Sequence, residues 1–240
     1  MIVDKNQTLM LTARSGQDVP LRVEINPRAK RLILRLDEKK RELVAVAPSR
    51  RHVGDAARFA QDRVEWAVSK LASLPPQVML APGQTIQLRG RPCAITHEGE
   101  GRRARLLEGD PQTLCLPGDE ETLSRRAERH LRKMAREDLS VAVQSYCEIL
   151  GVDARRVTVK DTRSRWGSCT SDGRLAFSWR LIMAPREVLD YVAAHECAHL
   201  LEMNHSPRFW AHVARCRPGW KAERAWLRKH GSGLHAVTLA

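Results

Sequence analysis

Residues 195–205 read HECAHLLEMNH, which is H-E-x-x-H with a third histidine six positions after the second. On a helix, positions i and i+4 lie on one face about 40° apart, so His195 and His199 can reach one metal ion. Glu196 is the residue after His195 on the helix, where its carboxylate can reach a water bound to that metal. Two neutral imidazoles, a third ligand and an open fourth position are typical of a catalytic rather than a structural zinc site.

Chance seldom produces this pattern. With 9 histidines in 240 residues, H-E-x-x-H arises by accident in roughly 3% of such chains, and in roughly 0.1% with the third histidine at one fixed position. The alternative is an amphipathic helix with two solvated histidines. Apolar residues at helical spacing instead predict a largely packed helix, in which ionisable groups need a partner such as a metal. These apolar residues are Val188, Leu189, Val192, Ala193, Leu200 and Leu201.

His205 is the predicted third ligand. The helix must end near Met203 for this ring to reach the other two, and Asn204 tolerates the left-handed conformation that ends a helix. The spacing matches the metzincin motif H-E-x-x-H-x-x-G-x-x-H, but Glu202 stands at the glycine position, so the turn must differ. Glu202 and Glu223 remain alternatives because zinc also accepts carboxylate oxygen.

The predicted chemistry is hydrolysis of an amide bond with one zinc ion per chain. Zinc lowers the pKa of its bound water to about 7, and Glu196 takes the proton and gives it to the leaving nitrogen. Candidates for contacting the substrate or the developing oxyanion are Tyr191, Arg165, Arg208 and His212. The sequence does not rank them, because each has an ordinary packing or solvent role as the alternative.

The bulk composition predicts a cytoplasmic globular protein. Hydrophobic residues make up 42% and charged residues 29% of the chain. No apolar run approaches the roughly eighteen residues of a membrane span, and the start lacks a secretory pattern. Without a membrane-spanning run, we expect no membrane partner. The six cysteines form no C-x-x-C pair, so we expect reduced thiols.

The net charge of +13 favours anionic partners such as nucleic acid or acidic protein segments. Basic residues cluster near 28–31, 39–41, 102–105 and 125–133. The aromatic content of 5% weakens the case for base stacking, and no known nucleic-acid motif stands out. Nucleic acid therefore remains a candidate partner, with an ordinary basic surface as the alternative.

The periodicity predicts an α+β fold: a β-rich N-terminal half with one helix, and a C-terminal half with a long helix, a small sheet and the H-E-x-x-H helix. Residues 1–18 are polar and expected to fray. The expected elements are three strands within 21–47, a helix within 54–73, β-hairpins within 84–117, a helix over 120–150 ended by Gly151, strands at 157–160 and 174–179, a helix opened by Pro185, a helix at 207–216 and a helix over about 219–230.

Pro117-Gly118-Asp119 marks a predicted boundary. We expect a single domain over residues 20–235, subdivided into a β-rich part over 20–118 and a catalytic part over 119–235. A polar segment over 1–19 precedes it.

Five stretches together resemble the YgjP-like metallopeptidase family, which is related to the SprT-like zincins. They are RWGSC at 165–169, WRLIMAP at 179–185, LDYV at 189–192, HECAHL at 195–200 and NHSPRFW at 204–210. The likeness spans about residues 20–235. The family's substrates are poorly defined, so the resemblance names none.

This resemblance implies a zincin-type catalytic half, a zinc-dependent hydrolase activity, and packing of residues 165–169 near the site. It also implies metal ligands at His195, His199 and His205 and a catalytic Glu196. In zincins the strand nearest the active-site helix binds substrate by edge pairing. By that analogy residues 174–180 or 157–160 hold an extended peptide, an ordinary edge strand being the alternative.

Three functions compete at this point. The first is a zinc-dependent metallopeptidase acting on peptides or proteins. The second is a nucleic-acid-associated protein whose zinc site is structural or conditionally active, and the third is a zinc hydrolase of a non-peptide amide.

Overall fold

The computed structural model describes residues 8–38, 40–99, 101, 103–162 and 165–239. The chain divides into two compact units, Met1–Pro76 and Gln77–Ala240. Both units combine strands and helices, which confirms the predicted α+β class. Among the described residues, no helix has both the length and the apolar character that crossing a bilayer requires.

The first unit is a four-stranded sheet packed against two helices. The strands are β1 (Thr8–Thr12), β2 (Asp18–Ile25), β3 (Ile33–Asp37) and β4 (Glu42–Ala47), in the order β1-β2-β4-β3. β2 and β4 are parallel, and the two outer pairs are antiparallel. Alternate residues of β2 point into the core, as the two-residue period of a strand requires.

Two predictions for this unit need correction. The polar segment expected to fray contains β1, because pairing with β2 orders residues 8–12; residues 1–7 lie outside the described residues. The single helix expected within 54–73 is two helices, α1 (Val53–Gln61) and α2 (Val64–Ala72). No glycine or proline marks the break between them, so the sequence pattern could not locate it.

The second unit begins with β5 (Val78–Met79) and a four-stranded sheet. The sheet contains β6 (Thr85–Leu88), β7 (Arg91–Gly99), β8 (Arg105–Leu107) and β9 (Gln112–Pro117), in the order β6-β7-β9-β8. The predicted hairpins are present as the β6/β7 and β8/β9 pairs, but β7 and β9 pair in parallel.

The tight turn between β6 and β7 packs on the segment before the H-E-x-x-H helix. Arg89 and Gly90 both have positive φ, 51° and 76°. The Arg89 N–H donates to the Ile182 carbonyl at 2.7 Å, and its guanidinium forms two 2.8 Å hydrogen bonds with Asp138. A Cβ on Gly90 would lie 2.9 Å from Cα of Pro185, so this close approach needs glycine.

Helix α3 (Glu120–Leu150) is the long helix that the sequence predicts. It ends at Gly151, whose φ of 71° gives the left-handed C-cap. Its buried side chains recur at helical spacing and share one core with the preceding sheet and the later helices. The strands before residue 118 and the helices after it therefore belong to one compact unit.

A small three-stranded sheet follows, in the order β10-β12-β11. Its strands are β10 (Arg156–Lys160), β11 (Gly167–Cys169) and β12 (Arg174–Ser178). β12 is the central strand, with β10 parallel on one side and β11 antiparallel on the other. The prediction that residues 174–180 offer a free edge is therefore wrong, because β12 is paired on both sides and a 3-10 helix (Trp179–Met183) follows it.

Three helices complete the second unit. They are α4 (Arg186–Ala198), α5 (Pro207–Cys216) and α6 (Trp220–His235), and the strand β13 (Val237–Thr238) then pairs in parallel with β5. α5 agrees with its prediction, whereas α6 extends five residues beyond the predicted end at about residue 230.

A buried arginine ties the end of α6 to the segment before α4. Arg180 is 2% exposed and donates to the carbonyl oxygens of Leu234 at 2.8 Å and Val237 at 2.7 Å. It also donates to the Asp161 carboxylate at 2.9 Å. Carbonyls at a helix C-terminus lack intrahelical partners, and Arg180 supplies a donor to the Leu234 carbonyl in the last turn of α6.

We expect Arg180→Met to lower the free energy of unfolding by about 3 kcal/mol. Methionine keeps much of the side-chain volume, but Asp161 and two buried carbonyls lose this donor. Urea denaturation measures the change, with Arg228→Ala, an exposed arginine of α6, as the control. Equal stabilities for the two variants would contradict the assignment.

Candidate metal centre

Helix α4 carries the first histidine and the glutamate of the motif. Pro185 is its N-cap, and Glu187 lies in the first turn, where the helix dipole favours negative charge. The buried side of α4 packs on α3, where the Cys197 and Cys147 sulfurs lie 3.9 Å apart. This packing fixes the rotation of α4 and hence the direction of its motif residues.

The helix ends earlier than the sequence predicts. Its last residue is Ala198, with His199 as the C-cap, rather than a residue near Met203. The N–H groups of Leu201 and Glu202 both donate to the Ala198 carbonyl, at 3.1 and 3.0 Å, and form a turn. A glycine is not needed, because this turn uses no left-handed residue.

The bend before the third histidine is also built differently from the prediction. Asn204 is not left-handed; among non-glycine described residues only Arg41 and Arg89 have positive φ. Its side-chain oxygen instead accepts the Ser206 N–H at 3.0 Å. Asparagine therefore forms this bend through a side-chain hydrogen bond two residues along the chain.

The three histidines converge. Their ring centroids form a nearly equilateral triangle: 5.0 Å for His195–His199, 5.1 Å for His195–His205 and 4.9 Å for His199–His205. One ligand nitrogen from each lies within 4.8 Å of the others. The Nε2 atoms of His195 and His205 are 3.1 Å apart, close to the separation of about 3.3 Å that tetrahedral coordination by zinc gives.

The protonation states suit a metal. Burial, followed by the charges of His199 and His205, lowers the pKa of His195 to about 3, which keeps its ring neutral. Burial also lowers the pKa of His199. The His199 Nδ1 donates to the Glu202 carbonyl at 2.9 Å, which leaves Nε2 free as a ligand atom.

Phe209 forms an apolar floor under the three imidazoles. Its ring is fully buried, with its centroid 4.8 Å from that of His195, 4.4 Å from that of His199 and 4.7 Å from that of His205. Helix α5 places it there, because the Ser206 hydroxyl caps the helix and accepts the Phe209 N–H at 3.3 Å. This role of Phe209 was not predicted, although the helix start directly after the third histidine is a usable signal for it.

An aromatic stack supports the exposed histidine. The His205 ring stacks on Trp210 at 5.7 Å, and Trp210 stacks on Trp220 at 4.3 Å. The Arg224 guanidinium lies over the Trp210 ring at 5.0 Å. These contacts hold in place the one histidine of the three that lies on a loop.

We expect Trp210→Ala to weaken metal binding about 10-fold, since groups that orient a ligand affect metal affinity on this scale. Competition with a chelating indicator measures the affinity. Trp66→Ala is the control, because Trp66 is a 44% exposed tryptophan of the first unit. If both variants bind metal like the unmodified chain, the stack does not position His205.

Glu196 is buried beside the triad and packs directly on β11. It is 5% exposed, and a Cβ on Gly167 would lie 2.5 Å from its Oε1 and 2.6 Å from its Cγ. Burial raises the pKa of Glu196 to about 8, while the positive charge of Arg165 acts in the opposite direction. A bound dication would also favour the charged carboxylate.

Trp166 anchors the strand on which Glu196 packs. Its ring stacks on His235 at 4.6 Å, and its carbonyl accepts the Ser178 N–H at 2.8 Å. A Cβ on Gly231 would lie 3.0 Å from the Trp166 ring, so α6 has a glycine where this ring approaches. The stretch 165–169 therefore lies at the site, as the resemblance implies.

The model of the protein family described as "YgjP-like, metallopeptidase domain" matches residues 30–230 of this chain. The chain belongs to the YgjP-like family. It therefore carries the domain of a metal-dependent peptidase, which confirms the resemblance predicted from the sequence. A solved structure, the metallopeptidase zymogen of Pyrococcus abyssi abylysin, is 22% identical with a TM-score of 0.35, covering 39% of this chain and 92% of that one. No curated protein matches.

Two of the four candidate contacts of this YgjP-like chain lie at the site. Tyr191 is buried with its ring 5.9 Å from that of His195, and burial raises its pKa to about 12, so its hydroxyl can donate. Arg165 is exposed and acts electrostatically on Glu196.

The other two candidates are Arg208, which is exposed, and His212, which is partly buried; both lie on α5. Within the described residues, the hydrogen bonds and ring contacts of the three histidines involve neither of them. Their part in contacting the substrate or the oxyanion stays a prediction.

The two carboxylate alternatives to His205 lie outside the cluster of converging histidines. Glu223 pairs with Arg217, and Glu202 offers its backbone carbonyl to His199. Among the described residues, the cluster that could hold a metal consists of three histidines and includes no carboxylate. This arrangement favours His205 as the third ligand of the YgjP-like site.

The donor set fits a metal ion on structural grounds. Two imidazole nitrogens face each other at 3.1 Å, and a cation held by them would satisfy both lone pairs. Neutral imidazoles suit zinc, copper, iron and nickel better than magnesium or calcium.

Proposed function

We propose that this chain is a zinc-dependent metallopeptidase with one zinc ion held by His195, His199 and His205 and with Glu196 as the general base. The observation that carries the proposal is the convergence of three histidine nitrogens beside a buried glutamate. Three protein ligands with an open position are typical of catalytic zinc, whereas structural zinc is bound by four.

Each residue of the site has a defined part in the proposed reaction. Zinc, when bound, lowers the pKa of water to about 7 and polarises the scissile carbonyl. Glu196 accepts a proton from the attacking water and passes it to the leaving nitrogen. Gly167 keeps the carboxylate in one position. Tyr191 and Arg165 are the nearby groups that can donate to the developing oxyanion.

The proposed substrate is an extended peptide or protein segment that pairs with β11. Within the described residues this strand is at the edge of its sheet, and Gly167 brings it against Glu196 of α4. Backbone pairing would hold the peptide and leave side chains to set specificity. The proposed compartment is the cytoplasm, because scattered cysteines without paired spacing suit a reducing environment.

The test combines metal content with cleavage. Purified protein should hold about one zinc per chain, and a chelator should remove both zinc and peptide cleavage. His205→Ala should weaken zinc binding strongly, whereas His212→Ala, a histidine of α5 outside the cluster, should not. A protein that retains no metal from zinc-containing buffer would end the proposal.

The net charge of +13 supports a second candidate, a nucleic-acid-associated protein whose zinc site is structural or conditionally active. Its affinity for DNA or RNA should fall steeply as salt rises. Absence of binding at low salt would eliminate it. A third candidate, hydrolysis of a non-peptide amide, predicts zinc-dependent activity without cleavage of a peptide library.

A further inference from the structure

A basic cavity lies between the first half of α3 and the sheet before it. Its volume is about 350 Å³, and it shares no residue with the metal centre. Ala104 and Pro117 form part of its wall. The remaining lining residues are all basic: Arg103, Arg126, Arg129, His130 and Lys133.

Two parts of the fold bring these side chains together. Four of them lie on α3 at spacings of three and four residues, which places them on one helix face about 10 Å long. Arg103 comes from the chain just before β8. The positive charges therefore surround a concave space instead of spreading over a convex surface.

These charges are poorly compensated. Within the described ranges no carboxylate forms an ion pair with Arg103, Arg126 or Arg129, and Lys133 reaches Glu137 at 3.6 Å only on the exposed surface. On another face of the same helix, Arg132 is paired with Glu128 at 2.6 Å. Clustered positive charges repel one another, and a bound anion would offset this repulsion by attracting each of them.

Arg126 is held in place without a carboxylate. Its Nε donates to the Thr122 hydroxyl at 3.0 Å. Its guanidinium packs on Gly118, where a Cβ would lie 2.8 Å from the Arg126 Cζ. Gly118 has a φ of 99°, a backbone conformation that favours glycine. A pre-positioned guanidinium loses little freedom when it binds an anion.

We propose that this cavity binds a compact anion that carries two adjacent phosphoryl groups. The three arginines and Lys133 provide four formal positive charges, and each phosphoryl group supplies about 1.5 to 2 negative charges. Guanidinium groups recognise phosphate oxygens through paired hydrogen bonds. Among the described residues no phenylalanine, tyrosine or tryptophan lines the cavity to stack a base, and its volume limits the ligand, so a small anion fits better than a nucleic-acid strand.

His130 supports this charge count. Burial, and then the charge of Lys133, lowers its pKa, while Glu137 acts in the opposite direction. The imidazole is therefore neutral near pH 7 and can donate one hydrogen bond to the anion without adding a fifth charge.

The test is calorimetric titration of the metal-loaded protein with inorganic pyrophosphate. The double variant Arg129→Ala/Lys133→Ala should weaken binding at least about 10-fold. The matched control is Arg125→Ala/Arg136→Ala, which removes the same charge from exposed positions of α3 outside the cavity, and it should change affinity less than about 2-fold. Arg103→Ala, outside the helix, should weaken binding as well, which keeps the test independent of helix stability.

Several results would overturn the proposal. Equal losses in the cavity and control variants would mean that only net charge matters. Binding that disappears after metal removal, and survives in the cavity variant, would place pyrophosphate at the metal. Affinity for oligonucleotides without affinity for pyrophosphate would identify a nucleic-acid surface instead. Because the cavity and the metal centre share no residue, failure here leaves the proposed peptidase intact, and failure of the peptidase leaves this site intact.

Discussion

Glu196→Gln is expected to lower kcat/KM for peptide cleavage about 10³-fold while metal remains bound. Glutamine has nearly the same shape but cannot accept the proton that the attacking water must lose. Glu196 is 5% exposed, so bulk water cannot easily take over the transfer. Cleavage of a peptide library, with zinc measured on the same samples, separates loss of the base from loss of the metal.

Glu202→Gln is the matched control, because it makes the same chemical change six residues further along the motif. Glu202 contacts His199 through its backbone carbonyl, which the substitution leaves in place. The activity of the Glu202→Gln variant should stay within about 3-fold of that of the unmodified chain, because the substitution changes no reacting group. Activity of Glu196→Gln at the level of this control would remove Glu196 from the mechanism.

Local sequence patterns predicted the parts of the site that depend on local structure. The i, i+4 spacing predicted that His195 and His199 lie on one face, and their ring centroids are 5.0 Å apart, because this proximity follows from helix geometry alone. The long α3 was predictable for the same reason, since its apolar period and Gly151 both lie within one segment. The convergence of His205 on the pair agrees with the prediction, although the bend that achieves it uses an Asn204 side-chain bond rather than a left-handed residue.

The missed features depend on contacts between distant segments. Phe209 and Trp210 support the histidines because α5 folds back beneath α4; the helix start after His205 indicates that helix, but not its packing against the imidazoles. The central position of β12 likewise depends on pairing with both β10 and the short β11. Three residues of β11 are too few to give a readable alternation, so its edge position was not predictable.

Gly167→Ala tests the least obvious of these long-range contacts. The added Cβ would meet the Glu196 carboxylate at 2.5 Å, so the side chain or the strand must move. A misplacement of about 1 Å can lower a rate about 100-fold, and we expect a fall in kcat/KM of this size. Metal content should remain near that of the unmodified chain, because Gly167 approaches the base and not a histidine.

A double-substitution cycle decides whether Gly167 acts through Glu196. In the Glu196→Gln background the base is already lost, so Gly167→Ala should reduce the residual activity by much less than about 100-fold. Gly54→Ala is the control for adding a methyl group, since its Cβ would meet no atom within 4 Å. If Gly167→Ala lowers activity equally in both backgrounds, or releases the metal, then the glycine supports the site as a whole. That result would mean that the contact with Gly167 is not what positions Glu196 for its proposed proton transfer.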